Sequence, residues 1–499
     1  MKTSRLALTL CLLLPMSIFA QPKAITAYNR DYKTPTSYSE LNQYVQELDR
    51  SSDLLQTKVI GNSVQNRHIF ALCFSDGQFG RNTSKLKVLI FAQQHGNEQS
   101  GKEAVLLLAK ELLKQENNYL FERLDIALIP QINPDGAEEN KRTNSNGVDL
   151  NRNHLLLDQP ETKALHNFFN IYRFDATVDV HEYSPYGESW ENWGYRKNAS
   201  VTLGALTNPN IDASLRKSTN DDALPWVLQF IKNQGYSSAI YTPGGPPGKD
   251  YIRHSTFDIN DGRQSFGIQN SYSFIQEGMN GSDTYVDNLS HRSVSQLTGL
   301  IGFLNYFHSN HNKIVNLVKQ SRQQLISGYS SAKTSIQANH VTNGTSLLLP
   351  VVKFHSQEYD KHDSIIIVND YRPVVNSIKD VETPYGYLLP KDDSKLMDWI
   401  KAHQFITEDI IPQRSVIEAY SIENIDTVDF EGDQIAIPHV RTEIVSSVNQ
   451  ENYIILPISQ LKGNMIVMAL EPESMLGLST YKNFIYLIQG TKYPVLRIK

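Results

Sequence analysis

The sequence predicts an α/β fold over roughly residues 40–310, on three observations. Apolar runs of strand length recur between helical stretches: "HIFALCF" (68–74), "KLKVLIFA" (85–92), "LDIALIPQI" (124–132), "FDATVDVH" (174–181) and "SYSFIQ" (271–276). Several of these runs are apolar on both faces, as strands covered by helices on both sides require. The stretch "GKEAVLLLAKELLKQ" (101–115) sets Ala104, Leu108 and Leu112 on one stripe, the pattern of a helix with one buried side.

At 499 residues the chain exceeds one hydrophobic core, so two domains are expected. From about 313 to 335, "NKIVNLVKQSRQQLISGYSSAK" reads as a helix that then loosens. Beyond "NHVTNGTS" the texture turns β-rich, in "SLLLPVVKF", "DSIIIVN", "NYIILPI" and "NMIVMAL". The expected division is therefore an α/β domain over 21–335 and a β-rich C-terminal accessory domain over 336–499. The loop "YTPGGPPGKDY" (241–251) reads as a Gly/Pro hinge or rim without regular structure.

The first twenty residues, "MKTSRLALTLCLLLPMSIFA", carry Lys2 and Arg5, then an apolar run too short to span a bilayer, then Ala20 before Gln21. That is the pattern of a secretory signal, and it predicts an exported protein, periplasmic or extracellular, with no membrane anchor once the signal is removed. Of two cysteines, Cys11 leaves with the signal. Cys73 is then alone, so an intrachain disulfide and a cysteine-ligated metal are both excluded, and Cys73 reads as a buried, inert thiol. The formal charge of −6 with no basic patch argues against a nucleic-acid partner.

Chemistry-bearing residues fall just past strand ends, where open α/β sheets place their sites. "HGNE" follows "KVLIFA" and sets His95 three positions before Glu98; imidazole and carboxylate are two of the ligand types that zinc accepts. After "IALIPQI" comes a run of turn formers holding Arg142, Asn151 and Arg152. "ATVDV" leads into His181, and "SYSFIQ" into Glu277. Each position also has an ordinary structural rival. Glu98 could answer a helix dipole, Asn151 could make a turn, His181 could be a core histidine, and Glu277 could be a structural strand-end carboxylate.

Taken together, "HGNE", "NPDG", "RTN", "GVDLNRN", "VDVHEYSP" and "FIQEG", spread over 92–280, resemble the zinc metallocarboxypeptidases of the carboxypeptidase A type. The resemblance implies a mixed twisted sheet between helices, with one zinc per chain held by His95, Glu98 and His181. It implies Glu277 as general base, Arg142 facing the oxyanion, and Asn151 with Arg152 gripping a terminal carboxylate. It leaves the tyrosine that covers the substrate open between Tyr251 and Tyr272, and it leaves the preferred side chain open. Glu182 follows His181 and is expected to face the other way; His254 and His291 are outside candidates for the metal. The stretches "LEPESMLGLSTYKNF" and "YPVLRI" resemble the tail of larger secreted bacterial members.

The leading expectation is a zinc exopeptidase acting on a peptide or cell-wall peptide. Its rivals are an amidase or deacylase of the aspartoacylase and succinylglutamate desuccinylase type, and a non-catalytic binding protein on the same scaffold. The Asn-Arg pair is shared with the amidases and cannot separate them.

Overall fold

The computed structural model describes residues 26–328, 332–353 and 363–499. The expected signal segment, 1–20, lies outside the described residues. Among those described, no helix is long and apolar enough to cross a membrane.

Ten strands precede residue 280: β1 Leu55–Asn62, β2 His68–Phe74, β3 Leu86–Ala92, β4 Leu124–Ile129, β5 Ala176–Tyr183, β6 Tyr195–Lys197, β7 Val201–Gly204, β8 Ser238–Ile240, β9 Ile252–Arg253 and β10 Tyr272–Met279. Eight of them form one sheet in the order β1-β2-β4-β3-β5-β10-β7-β8. β3 runs parallel to β4 and β5, and β5 parallel to β10, while β2 meets β1 and β4 antiparallel and β7 meets β10 antiparallel. The sheet is thus mixed, with its longest-buried strands at the centre.

Both faces of that sheet are covered, which explains the apolar runs. Along β3, Val88 and Ile90 enter one core with Ala104, Leu108, Phe303 and Phe307, from helices Gln99–Leu112 and Leu289–Ile326. The alternate residues Leu89 and Phe91 enter a second core with Leu165, Phe169 and Phe266, from helices Pro160–Tyr172 and Gly262–Gly267. Successive side chains of a strand point to opposite faces, so a strand between two helical layers is apolar on both, save where a buried polar residue finds a partner. Cys73 on β2 lies in the second core, unpaired and buried, where burial pushes its thiol up to about 12.

Two expected elements differ. The helix read over 313–335 is the end of a single helix, Leu289–Ile326. Its N-terminal half is buried against the sheet, which blurs the polar face that would have marked it. "NMIVMAL" is a helix, Gly463–Leu470, every residue of which is buried. A short run that is apolar all round carries neither period, and length alone cannot separate strand from helix.

Past Ile326 the chain is β-rich. β11 Lys333–Val341 pairs with strand Val374–Glu382, and residue 335 lies inside β11. β12 Leu347–Lys353 pairs with β13 Asp363–Val368 on one side and with β6 on the other. A five-stranded sheet is built from Gly386–Pro390, Ile417–Phe430, Asp433–Val445, Tyr453–Pro457 and Leu496–Ile498. This region is packed onto the α/β part. Trp399 Nε1 donates to Leu155 O at 2.8 Å, and His403 Nε2 lies 2.8 Å from the same oxygen. The larger apolar core runs from the central sheet through Trp399, Tyr420 and Met465.

Trp399→Ala removes a fully buried ring and its hydrogen bond, and should cost about 3–5 kcal/mol in unfolding free energy. Ile365→Ser on the exposed face of β13 should stay within about 0.5 kcal/mol of wild type. Denaturant unfolding of the two variants checks both values.

Candidate active site

The site begins where β3 ends. Gln93 takes a left-handed backbone, φ 57°, and turns the chain out of the strand. Gly96 then passes against the "NPDG" segment so closely that a Cβ on it would lie 2.1 Å from the Gly136 carbonyl carbon. Asn133 holds the two segments together: its amide donates to Gln94 O at 3.1 Å, and its oxygen accepts from Gly136 N at 2.9 Å. "NPDG" is therefore the wedge that positions the "HGNE" turn, and two glycines are needed because backbone meets backbone there.

Glu98 stands at the N-cap of helix Gln99–Leu112, but its side chain makes no capping hydrogen bond. One carboxylate oxygen lies 2.7 Å from His95 Nδ1 and the other 2.9 Å from His181 Nδ1. The two Nδ1 atoms are 3.2 Å apart. His95, Glu98 and His181 are all buried and offer donor atoms within 4.8 Å of one another, a set able to hold a metal ion.

The far nitrogens of both rings are also engaged. His95 Nε2 lies 3.0 Å from Asp149 Oδ1, and His181 Nε2 lies 2.9 Å from Asp179 Oδ1. A carboxylate on Nε2 fixes each ring with Nδ1 facing the centre and raises its basicity, the usual outer support of a metal-ligating histidine. This is a direct test of fit for zinc: the two nitrogens and the carboxylate converge, and the outer partners are present. Burial opposes charge on His95, but Glu98 and Asp149 outweigh it and hold the imidazole above its ordinary pKa. Burial likewise opposes charge on His181, and Asp179 and Glu98 raise it well above the ordinary value. The pocket's field favours a cation between these groups, and a divalent ion meets that demand when it displaces the protons.

Sequence reasoning missed Asp149 and Asp179. Asp179 was legible in principle, since it precedes His181 by two on a strand and shares its face. Asp149 sits in "GVDLNRN" two residues before Asn151, and only the loop's fold brings it to His95.

Glu277 reaches the site across the sheet. Parallel pairing of β10 with β5 sets Glu277 beside His181 in register. It is buried, and burial pushes its carboxyl up to about 7, with His181 opposing and Glu98 reinforcing the shift. Arg142 is half exposed; its Nε and Nη2 reach Asp149 Oδ2 at 3.0 and 2.9 Å, and its Nη1 stands 3.8 Å from Glu98 Oε1. Asn151 Oδ1 accepts from Gly262 N at 2.8 Å, and Arg152 Nη1 donates to Asn151 O at 2.8 Å. Arg152 is exposed to the cleft. Burial opposes its charge, but Asp258, Asp149 and Asp261 raise its pKa above the ordinary value.

His95, Glu98, Arg142, Asn151, Arg152 and Glu277 line one cleft of about 260 Å³, together with Tyr241, Arg263 and Ile275. Glu182 also borders this cleft, but its carboxylate is bound by Arg292 at 2.8 and 2.9 Å and by Ser100 at 2.6 Å. Other sequence candidates lie elsewhere. His254 contacts Asn220, and His291 contacts Ser200. Tyr272 is buried with its hydroxyl on Ser218, and Tyr251 lies under the Arg372 guanidinium, so neither lines the cleft. Tyr241, from the start of the Gly/Pro loop, does, although from that loop the sequence reading weighed only Tyr251.

Residues 41–245 match the family model described as zinc carboxypeptidase. Carboxypeptidase 2 of Trichophyton rubrum is 21% identical over 490 residues, 93% of this chain and 87% of that protein. The carboxypeptidase N catalytic chain of Homo sapiens is 30% identical over 193 residues, 28% of this chain and 42% of that protein. A metallo-carboxypeptidase structure from Pseudomonas aeruginosa aligns at 19% identity with a TM-score of 0.43, over 55% of this chain and 69% of that one. The family model and the curated relatives support a metallopeptidase of the zinc carboxypeptidase kind. Glu277 lies beyond the matched stretch and joins the site through the β5–β10 register alone.

Asp179→Asn and Asp149→Asn should each weaken zinc binding by about 10–100-fold, since each leaves one ring without its anionic support. Competition against a chromophoric chelator measures this directly. Zinc affinity unchanged in both variants would remove these two carboxylates from the metal's support.

Proposed function

We propose that this chain is an exported zinc-dependent metallocarboxypeptidase that removes a C-terminal residue from a peptide or cell-wall peptide. On this reading residues 1–20 are a signal, 21–335 the catalytic domain and 336–499 an accessory domain. The observation that carries it is one cleft in which His95 and Glu98 of a His-Glu-His donor set, a buried carboxylate and an exposed arginine meet.

His95, Glu98 and His181, whose donor atoms lie within 4.8 Å of one another, would hold one zinc. Zinc in a site of this kind supplies Lewis acidity, which polarises a carbonyl and acidifies water. Glu277 takes the proton of the attacking water at its carboxylate and delivers it to the departing amine. Its burial favours this role, because a carboxyl raised toward neutrality both accepts and releases a proton readily. Arg142 places positive charge where the carbonyl oxygen gains negative charge, steadied by Asp149. Asn151 turns its oxygen to Gly262 and so leaves its amide for substrate. Arg152 pairs with the terminal carboxylate through its planar fork.

Glu277→Gln keeps shape and hydrogen-bonding reach but cannot accept the proton. Turnover should fall by about 10²–10⁴-fold with zinc retained, as read by single-turnover kinetics and elemental analysis. Zinc lost with activity would make Glu277 a ligand instead.

Arg152→Ala should cost about 2–5 kcal/mol in kcat/KM on free-acid peptides. Wild type should cut C-terminally amidated peptides poorly. Mass spectrometry of matched free-acid and amidated peptides tests the reading as a whole. Equal cleavage of both would replace it with an endopeptidase, and release of an acyl group alone with an amidase.

A further inference from the structure

Past Glu277 the cleft adjoins a second cavity of about 170 Å³, lined by Trp190, Lys197, Thr202, Ile240 and Pro350 among others. That is room for about five or six waters at roughly 30 Å³ each. Tyr183, Ser184 and Tyr241 line both spaces, so they share a wall. Thr202 on β7 is the register partner of Glu277 on β10. Directly opposed residues of antiparallel strands project from the same face with Cβ atoms about 5 Å apart, so Thr202 leads from the reacting groups into the second cavity.

Two polar groups in this cavity are left with capacity. Thr202 is buried, and its hydroxyl has no hydrogen-bond partner. A buried hydroxyl in that state is costly, which marks a place where a ligand acceptor or a water belongs. Lys197 on β6 donates from Nζ to Thr242 O at 2.5 Å and lies 5.1 Å from the Trp190 ring centre. No carboxylate pairs with it among the described residues, although an ammonium carries three donors. Burial and the charge of Arg253 lower its pKa to about 8, and Glu277 opposes that shift. Arg263, at the floor of the main cleft, differs: Asp261 neutralises it at 2.8 Å. Lys197 is thus an ammonium in a partly desolvated cavity beside the proposed scissile bond, near enough to feel Glu277 but in salt-bridge contact with no carboxylate among the described residues.

We propose that this cavity is a subsite for an acidic side chain of the substrate, selected by Lys197 and Thr202. A carboxylate gives acceptors to both groups and supplies the missing anion. An apolar side chain leaves both unmet, and a cationic one is repelled. The subsite rests on the reading of the cleft as a peptidase site only in taking a peptide as its ligand. Its outer wall comes from Leu349 and Pro350 of β12, so the C-terminal region takes part in selecting substrate.

The test compares wild type, Lys197→Met and Thr202→Val on peptides that differ in one residue, Glu or Gln, placed first at the terminal and then at the penultimate position. Wild type should favour Glu by about tenfold or more in kcat/KM at one of these positions, the scale of a hydrogen bond to a charged group. Lys197→Met should bring that ratio to within about threefold of unity, and Thr202→Val should reduce it partway. No preference at either position in wild type overturns the subsite, as does a preference that survives Lys197→Met. The isosteric Thr202→Val carries the comparison if Lys197→Met does not fold. Should no peptide be cut, the peptidase reading fails and calorimetric titration with N-acetylglutamate and N-acetylglutamine decides the subsite separately. Tighter binding of the acid that is lost in the variants supports it, and equal binding of the two overturns it.

Discussion

A carboxylate buried between two imidazoles is the constraint on which the rest of this molecule turns. Glu98 is 5% exposed and has no place in water, so its charge must be met by His95 and His181. To bring those two rings to one carboxylate, β3 and β5 must be neighbours, with Ala92 level with Val180, and the chain must turn sharply after Ala92. The Gly96–Gly136 approach, the Asn133 clamp and the outer carboxylates Asp149 and Asp179 all serve that geometry. Charge complementarity at the centre dictates backbone contacts at a distance from it.

The central sheet was legible because its strands are sandwiched. Covered on both faces, they become unbroken apolar runs, and unbroken runs are conspicuous. The strands at residues 55–62 and 201–204 were not read. β1 is apolar on neither face throughout, and β7 is four residues long. Beyond residue 330, the long hairpin of Ile417–Phe430 and Asp433–Val445 escaped for the same reason, since much of it is solvated and only loosely alternating. Burial writes a pattern into sequence, and exposure erases it.

In the site, legibility followed contact with the proposed reaction. His95 and Glu98 follow the end of β3, His181 and Glu277 stand in the last residues of β5 and β10, and each was picked out from sequence. What sequence concealed were Asp179, inside the strand that carries His181, and two residues placed by loops, Asp149 and Tyr241. Asp149 reaches His95 only because Leu150–Arg152 forms a single 3₁₀ turn whose cap is Asp149 itself. Tyr241 reaches the cleft only because β8 ends where it does, at the margin of the sheet. A side chain placed by a loop leaves no periodic trace, so its position must be seen.

The pairing of β6 with β12 joins residues about 150 positions apart. Because the chain is made from its N-terminus, the residues proposed to be catalytic are complete well before Leu349 and Pro350 exist. Until then the three-residue strand β6 has an open edge, and the cavity beside Glu277 has no outer wall. The chemistry of the cleft and its shape therefore mature at different times during synthesis, and a later part of the chain closes a surface that the earlier part cannot close alone.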